Sequence, residues 1–178
     1  MKIKENVINK YLILLLSVSA LLRGALASII EFGNDEVYYW TYAMYPDWSH
    51  FDHPPMVGFM MQLFSCNLLF SSEFFLRLSS VIFMTINTYL VFLIGKQVKN
   101  EQTGFYAALL YTASIYAFVI TGIFILPDTP LSIFTFLAVL QFIRYFQNEK
   151  NKHLILAGLF YGLAMLSKYS GVFVWVGV

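Results

Sequence analysis

The sequence predicts an all-α, polytopic membrane protein, and three observations carry that reading. Of 178 residues, 59% are hydrophobic and 19% aromatic, while 12% are charged, about half the usual charged fraction. Mean hydropathy is +0.69. Uncharged runs of roughly twenty residues recur along the chain, the length that crosses a hydrocarbon core as a helix. An ordinary water-soluble domain would need far more polar surface. The formal net charge of +1, with no Lys/Arg block, excludes nucleic acid as a partner. The single cysteine, Cys66, excludes an internal disulfide framework and a cysteine-based zinc cluster. Stability must then come from helices packing in the lipid bilayer.

Five apolar runs read as spans: Tyr11 to Ile30, Phe75 to Gly95, about Phe105 to Leu126, Leu131 to Phe146 and Leu154 to Ser167. Polar or turn-forming stretches separate the later ones: Lys96 to Thr103, Pro127-Asp128-Thr129-Pro130, and Gln147 to Lys152. A further run, Gly171 to Val178, is about a third of a span and reads as a truncated sixth. A signal peptide is the competing account of the first run. Lys2, Lys4 and Lys10 precede it and Ala25-Leu26-Ala27 resembles a cleavage site, but the run is long, Arg23 interrupts it, and more spans follow. Arg23 itself, at a cost of ~3 kcal/mol if unpaired in a membrane helix, is expected to face the bundle or snorkel.

Met56 to Phe70 decides the topology, since counting it as a span reverses everything after it. Fifteen residues is short, and the positive-inside rule supplies a test. With the segment lying on the membrane as amphipathic, interfacial helix, eight Lys/Arg residues fall on the cytoplasmic side and two, Arg77 and Lys168, outside; with the segment spanning, the count is five to five. The interfacial reading wins. The N-terminus is then cytoplasmic, and the loop after the first span shares the outer face with Asp128 and Lys168.

Polar chemistry collects on that face. Seven of ten carboxylates fall there, five of them between Glu31 and Asp52. Asn34 or Asp35 suits the cap of a short helix after the first span. Tyr38, Tyr39, Trp40, Tyr42, Tyr45 and Trp48 suit an interfacial aromatic belt or a ligand platform. His50 and His53, with Asp47 and Asp52, are compatible with a divalent metal but match no zinc signature. Pro54-Pro55 holds the preceding His53 extended and stiffens the end of the loop. Asp128 and Lys168 have bland readings as a helix cap and a snorkelling cation. Their convergence on one face with Asp35, Glu36 and His53 points instead to a site.

Five motifs then carry a resemblance: Asp35-Glu36-Val37-Tyr38-Tyr39 after the first span; Phe51-Asp52-His53-Pro54-Pro55-Met56; Phe74-Phe75-Leu76-Arg77-Leu78; Leu126-Pro127-Asp128-Thr129-Pro130-Leu131; and Gly162-Leu163-Ala164-Met165-Leu166-Ser167-Lys168. In this order and spacing the chain resembles the GT-C membrane glycosyltransferases. The likeness is to the dolichyl-phosphate-mannose-protein mannosyltransferase superfamily, with the bacterial aminoarabinose and lipid A sugar transferases. The resemblance implies an inverting transfer of a sugar from a polyprenyl-phosphate carrier to a glycolipid, glycan or protein acceptor, at the outer face of the cytoplasmic membrane. It implies Asp35 as the catalytic carboxylate of an outer catalytic loop over residues 31–74, with Glu36 beside it in the motif. An acceptor hydroxyl needs such a base, and the departing phosphate needs a cation. Lys168 matches a lysine that meets that phosphate. His53 stands where the aminoarabinose transferases carry lysine, and Tyr39 and Asp128 match further positions lining the site. No cofactor is implied with certainty. The 178 residues read as the N-terminal part of such a domain, expected to be inactive alone.

Two other classes compete. A transporter or lipid flippase would use Arg23 and the acidic loop for substrate, but transporters place ionisable groups near the midplane, and here they gather at one surface. A non-catalytic assembly subunit would use Gly158-x-x-x-Gly162 as a helix-packing pattern.

Overall fold

A computed structural model describes residues 5–173, and all regular structure among them is helical. The helices are α1 (Glu5–Ile29), α2 (Asn34–Met44), α3 (Met56–Phe64), α4 (Glu73–Val98), α5 (Glu101–Ala113), α6 (Asp128–Asn148) and α7 (Asn151–Met165). A π-helical segment (Tyr116–Ile120) follows α5, and a short 3-10 turn (Tyr169–Gly171) follows α7. Most of the proposed sixth span lies outside the described residues.

Three helices are long and apolar enough to cross a membrane: Asn6–Ile29, Glu73–Val98 and Asp128–Asn148. The other two expected spans take shorter forms. The run from Phe105 breaks at Ser114, whose backbone turns extended (φ −71, ψ 138), and resumes as the π segment. Helix α7 has 15 residues and rises roughly 22 Å.

Met56 to Phe70 does not span. Its helix, α3, has nine residues, roughly 13 Å of rise, and the chain reverses through Cys66, Asn67 and Leu68, all at positive φ. The end of α1 and the start of α4 lie together: Arg77 donates to the carbonyls of Ala27 (3.1 Å), Ile30 and Glu31 (3.0 Å). α1 and α4 therefore run antiparallel, and the loop between them, with α2 and α3, sits over one end of the bundle. At the opposite end Asn100 caps α5, its side chain accepting from Thr103 N (2.9 Å), and Lys96 pairs with Glu101.

Helix pairing follows the small residues, though not those the sequence suggested. α4 and α5 meet at Gly95 and Gly104, where a β-carbon on Gly95 would come within 2.8 Å of Gly104 Cα; absence of side chains lets the backbones touch. A β-carbon at Gly158 or Gly162 would meet nothing within 4 Å, so the Gly-x-x-x-Gly pattern packs no described helix. Beneath the loop, Tyr42, Val57, Met61, Leu76 and Ile125 form a buried cluster joining α2, α3, α4 and the chain before α6.

Arg23 faces the bundle, fully buried. Its guanidinium lies 5.1 Å from the Phe118 ring centroid, and none of its nitrogens has a hydrogen-bond partner among the described residues.

Candidate functional site

The site is built at the loop end of the bundle, and an ion pair organises it. Glu36, in the first turn of α2, is 2% exposed and Arg77, in the second turn of α4, is fully buried. Arg77 Nε donates to Glu36 Oε1 (2.8 Å) and Nη2 to Oε2 (2.5 Å), the bidentate geometry that suits a guanidinium to a carboxylate. The same carboxylate accepts from Gly33 N (3.1 Å) and Ile125 N (3.0 Å). Phe32 and Phe124 flank the guanidinium at 4.9 and 5.6 Å. Three segments distant in sequence, residues 27–36, Arg77 and Phe124-Ile125, are thereby fastened together.

That arrangement distinguishes two neighbouring carboxylates. Glu36 turns inward and spends its oxygens on the fold, so it has no free edge for a reacting group. Both border a cleft of about 560 Å³, lined also by Gly33, Asn34, Ile120, Phe124 and Leu126, but Glu36 meets it with its oxygens already paired. The cap of α2 is Gly33 rather than Asn34 or Asp35, because Glu36 reaches back to its N–H. Asp35 then falls within the first helical turn, where the helix dipole favours a carboxylate.

Asp128 and Lys168 lie forty residues apart in the chain and meet directly. Lys168 Nζ donates to Asp128 Oδ1 (3.0 Å) and Oδ2 (2.8 Å), and both side chains keep some exposure. The cap position of α6 is Pro127, so Asp128 is not its cap, and Lys168 spends its ammonium on that carboxylate. Tyr116, from the π segment, also donates to Asp128 Oδ1 (3.0 Å).

His53 and Tyr39 complete the group, their ring centroids 5.8 Å apart. Partial burial pushes the His53 pKa below its ordinary value, and the neighbouring Lys168 cation pushes it further, against the opposing pull of Asp52 and Asp128. Nδ1 of His53 is buried and has no hydrogen-bond partner among the described residues. The Tyr39 phenol is pushed up to about 12, first by burial and then by nearby groups that include the carboxylates of Asp35, Asp128 and Asp52. The fields of Asp35 and Asp128 therefore overlap at Tyr39, and those of Lys168 and Asp128 at His53. Of the residues singled out from sequence, Asp35, Tyr39, His53, Asp128 and Lys168 share one end of the molecule, with the buried Glu36 beside them; the cleft at Asp35 is lined by none of the other four.

Met56 N donates to Leu166 O (3.3 Å), and Ser49 Oγ and Tyr169 Oη hydrogen-bond at 3.1 Å, so the loop is pinned to the end of α7 that carries Lys168. His50 stacks on Tyr42, centroids 3.7 Å apart. Among the described residues, no group of three or more His, Cys, Asp or Glu side chains is arranged to hold a metal ion.

Sequence reasoning missed two contributors. Arg77 read as one cation in a motif, and nothing local signals a partner 41 residues away. Tyr116 was hidden inside an apolar run.

The comparisons with known proteins give the class of this helical bundle: a membrane glycosyltransferase of the GT-C type. Residues 52–178 match the family described as Dolichyl-phosphate-mannose-protein mannosyltransferase. That is well over half of the chain, and the protein belongs to this family. The matched stretch holds His53, Arg77, Asp128 and Lys168 and begins downstream of Asp35, Glu36 and Tyr39. No curated protein and no solved structure matches the chain.

Proposed function

We propose that the protein moves a sugar from a polyprenyl-monophosphate carrier to a glycolipid, glycan or protein acceptor at the outer face of the cytoplasmic membrane, with inversion at the anomeric carbon. Asp35 accepts the proton of the acceptor hydroxyl as its oxygen attacks that carbon. The bond from the carbon to the phosphate oxygen breaks on the opposite side, and the electron pair leaves with the lipid phosphate. Lys168 meets the phosphate charge, with His53 offering a ring nitrogen beside it. Tyr39 and Asp128 line the sugar between the two. Glu36 takes a different role from Asp35: bound to Arg77, it fixes the helix start on which Asp35 stands.

The observation that carries this reading is the pairing of Lys168 with Asp128 beside His53, with Tyr39 within the field of both Asp35 and Asp128. The reaction needs a base and a phosphate-binding cation near one another, and the residues proposed for it come from four separate stretches of sequence to one end of the molecule. The surface location of the charges favours transfer over transport, since a transporter concentrates such groups near midplane.

The test is mass analysis of glycolipids and glycoproteins from cells with and without the intact gene. Loss of one defined sugar from one acceptor class is the expected result; an unchanged profile, with altered uptake or lipid asymmetry, supports the transporter reading instead. For the face, in a background with Cys66→Ser and no other cysteine, an impermeant thiol reagent added outside should label Asp128→Cys and not Gln102→Cys.

A further inference from the structure

The π segment holds a residue that the sequence motifs do not mark. A continuous helix through 105–126 would pass Tyr116 without special consequence. Instead the turn is widened: Thr121 N donates to Tyr116 O (2.9 Å), the i to i+5 step of a π-helix, and Thr121 Oγ1 adds a second bond to the same carbonyl (3.1 Å). Thr121 O in turn accepts from Thr129 Oγ1 (3.0 Å), and Thr129 follows Asp128 at the start of α6. This bracket ties the Tyr116 backbone to the Asp128 backbone, and the phenol closes it by donating to Asp128 Oδ1 (3.0 Å).

Asp128 Oδ1 is thus shared between Tyr116 and Lys168, whereas Oδ2 bonds Lys168 alone among the contacts described. A neutral donor on a carboxylate oxygen withdraws part of the charge that holds the lysine. An incoming phosphate must draw Lys168 from that carboxylate, so the strength of the Asp128–Lys168 pair competes with donor binding.

We propose that Tyr116 is a positioning residue for donor binding: through its hydrogen bond it orients Asp128 and weakens that carboxylate's grip on Lys168, leaving the ammonium exchangeable for a lipid-linked phosphate. This inference rests on the phosphate role given to Lys168 in the preceding subsection. Tyr116 touches no reacting atom, so its effect falls on donor binding and not on the chemical step.

The experiment uses the full-length protein, purified in lipid nanodiscs, with Tyr116→Phe, Asp128→Asn and the double variant. Two readouts are taken: affinity for a polyprenyl monophosphate carrying no sugar, and KM and kcat for the sugar-charged donor. Tyr116→Phe, which removes one oxygen, is expected to weaken lipid-phosphate binding and raise the donor KM roughly three- to tenfold, with kcat within about twofold. In the Asp128→Asn background the competing charge is gone, so adding Tyr116→Phe should change affinity by less than about twofold. A merely structural tyrosine would weaken binding in both backgrounds, and that additive result overturns the proposal. So does an unchanged affinity in Tyr116→Phe, or a fall in kcat with KM constant. If the unmodified protein does not bind the polyprenyl monophosphate, the donor reading itself fails and this inference falls with it.

Discussion

Glu36 and Arg77, 41 residues apart, form a bidentate ion pair with essentially no solvent exposure, and the arginine's remaining donors close the carbonyl end of α1. One side chain from α2 and one from α4 therefore set the distance between the α2 end and the bundle. Asp35, the adjacent residue, inherits its position from that lock.

Breaking the pair from either side leaves a buried, uncompensated charge. Glu36→Gln and Arg77→Leu are each expected to cost about 3–5 kcal/mol. Thermal unfolding in detergent by tryptophan fluorescence checks this. A melting temperature within a degree of the parent protein would show that the pair does not hold the loop.

The Lys168–Asp128 pair should behave in the opposite way. It is partly exposed, at 29% and 21%, where ion pairs contribute about 0.2–1 kcal/mol. Lys168→Ala should therefore leave the melting temperature nearly unchanged while raising the donor KM by at least about tenfold, with Lys168→Arg intermediate. Large destabilisation with normal KM in the survivors would assign the pair to the fold.

His53 gives a pH dependence. Its folded pKa lies below the ordinary value near 6.5, so between the two values the unfolded chain binds more protons. Stability thus rises with pH through that window; the contribution is complete above the unfolded value and is lost as pH falls through the folded one. Because Lys168 helps hold the value down, Lys168→Ala should move the imidazole titration upward, followed by NMR of labelled histidine. A titration that stays put in that variant would separate the two residues.

The parts that were legible in the sequence are those with a local signature. α1, α4 and α6 announce themselves as apolar runs of membrane length, and the shortness of the Met56 to Phe70 run matches its nine-residue helix. Asp35, His53, Asp128 and Lys168 are visible as ionisable residues at the ends of such runs. The break at Ser114 and the π turn leave no such mark, because Tyr-Ala-Phe-Val-Ile is as apolar as the helix before it. Gly95 and Gly104 sit on different helices, so no spacing rule links them, whereas Gly158 and Gly162 fit a spacing rule and pack nothing described. Glu36 shares the Asp35 motif but differs in what it faces, which is a property of the three-dimensional partner and not of the neighbouring residue.

The central claim is that Asp35 is the base of a sugar-transfer site whose cation is Lys168. The most direct measurement is single-turnover transfer of sugar from a polyprenyl-phosphate donor by full-length protein carrying Asp35→Asn, a change that preserves size and removes the charge. The expected result is loss of product formation by more than about a thousandfold, with unchanged membrane insertion, melting temperature and donor affinity. Turnover within tenfold of the parent protein would contradict the account.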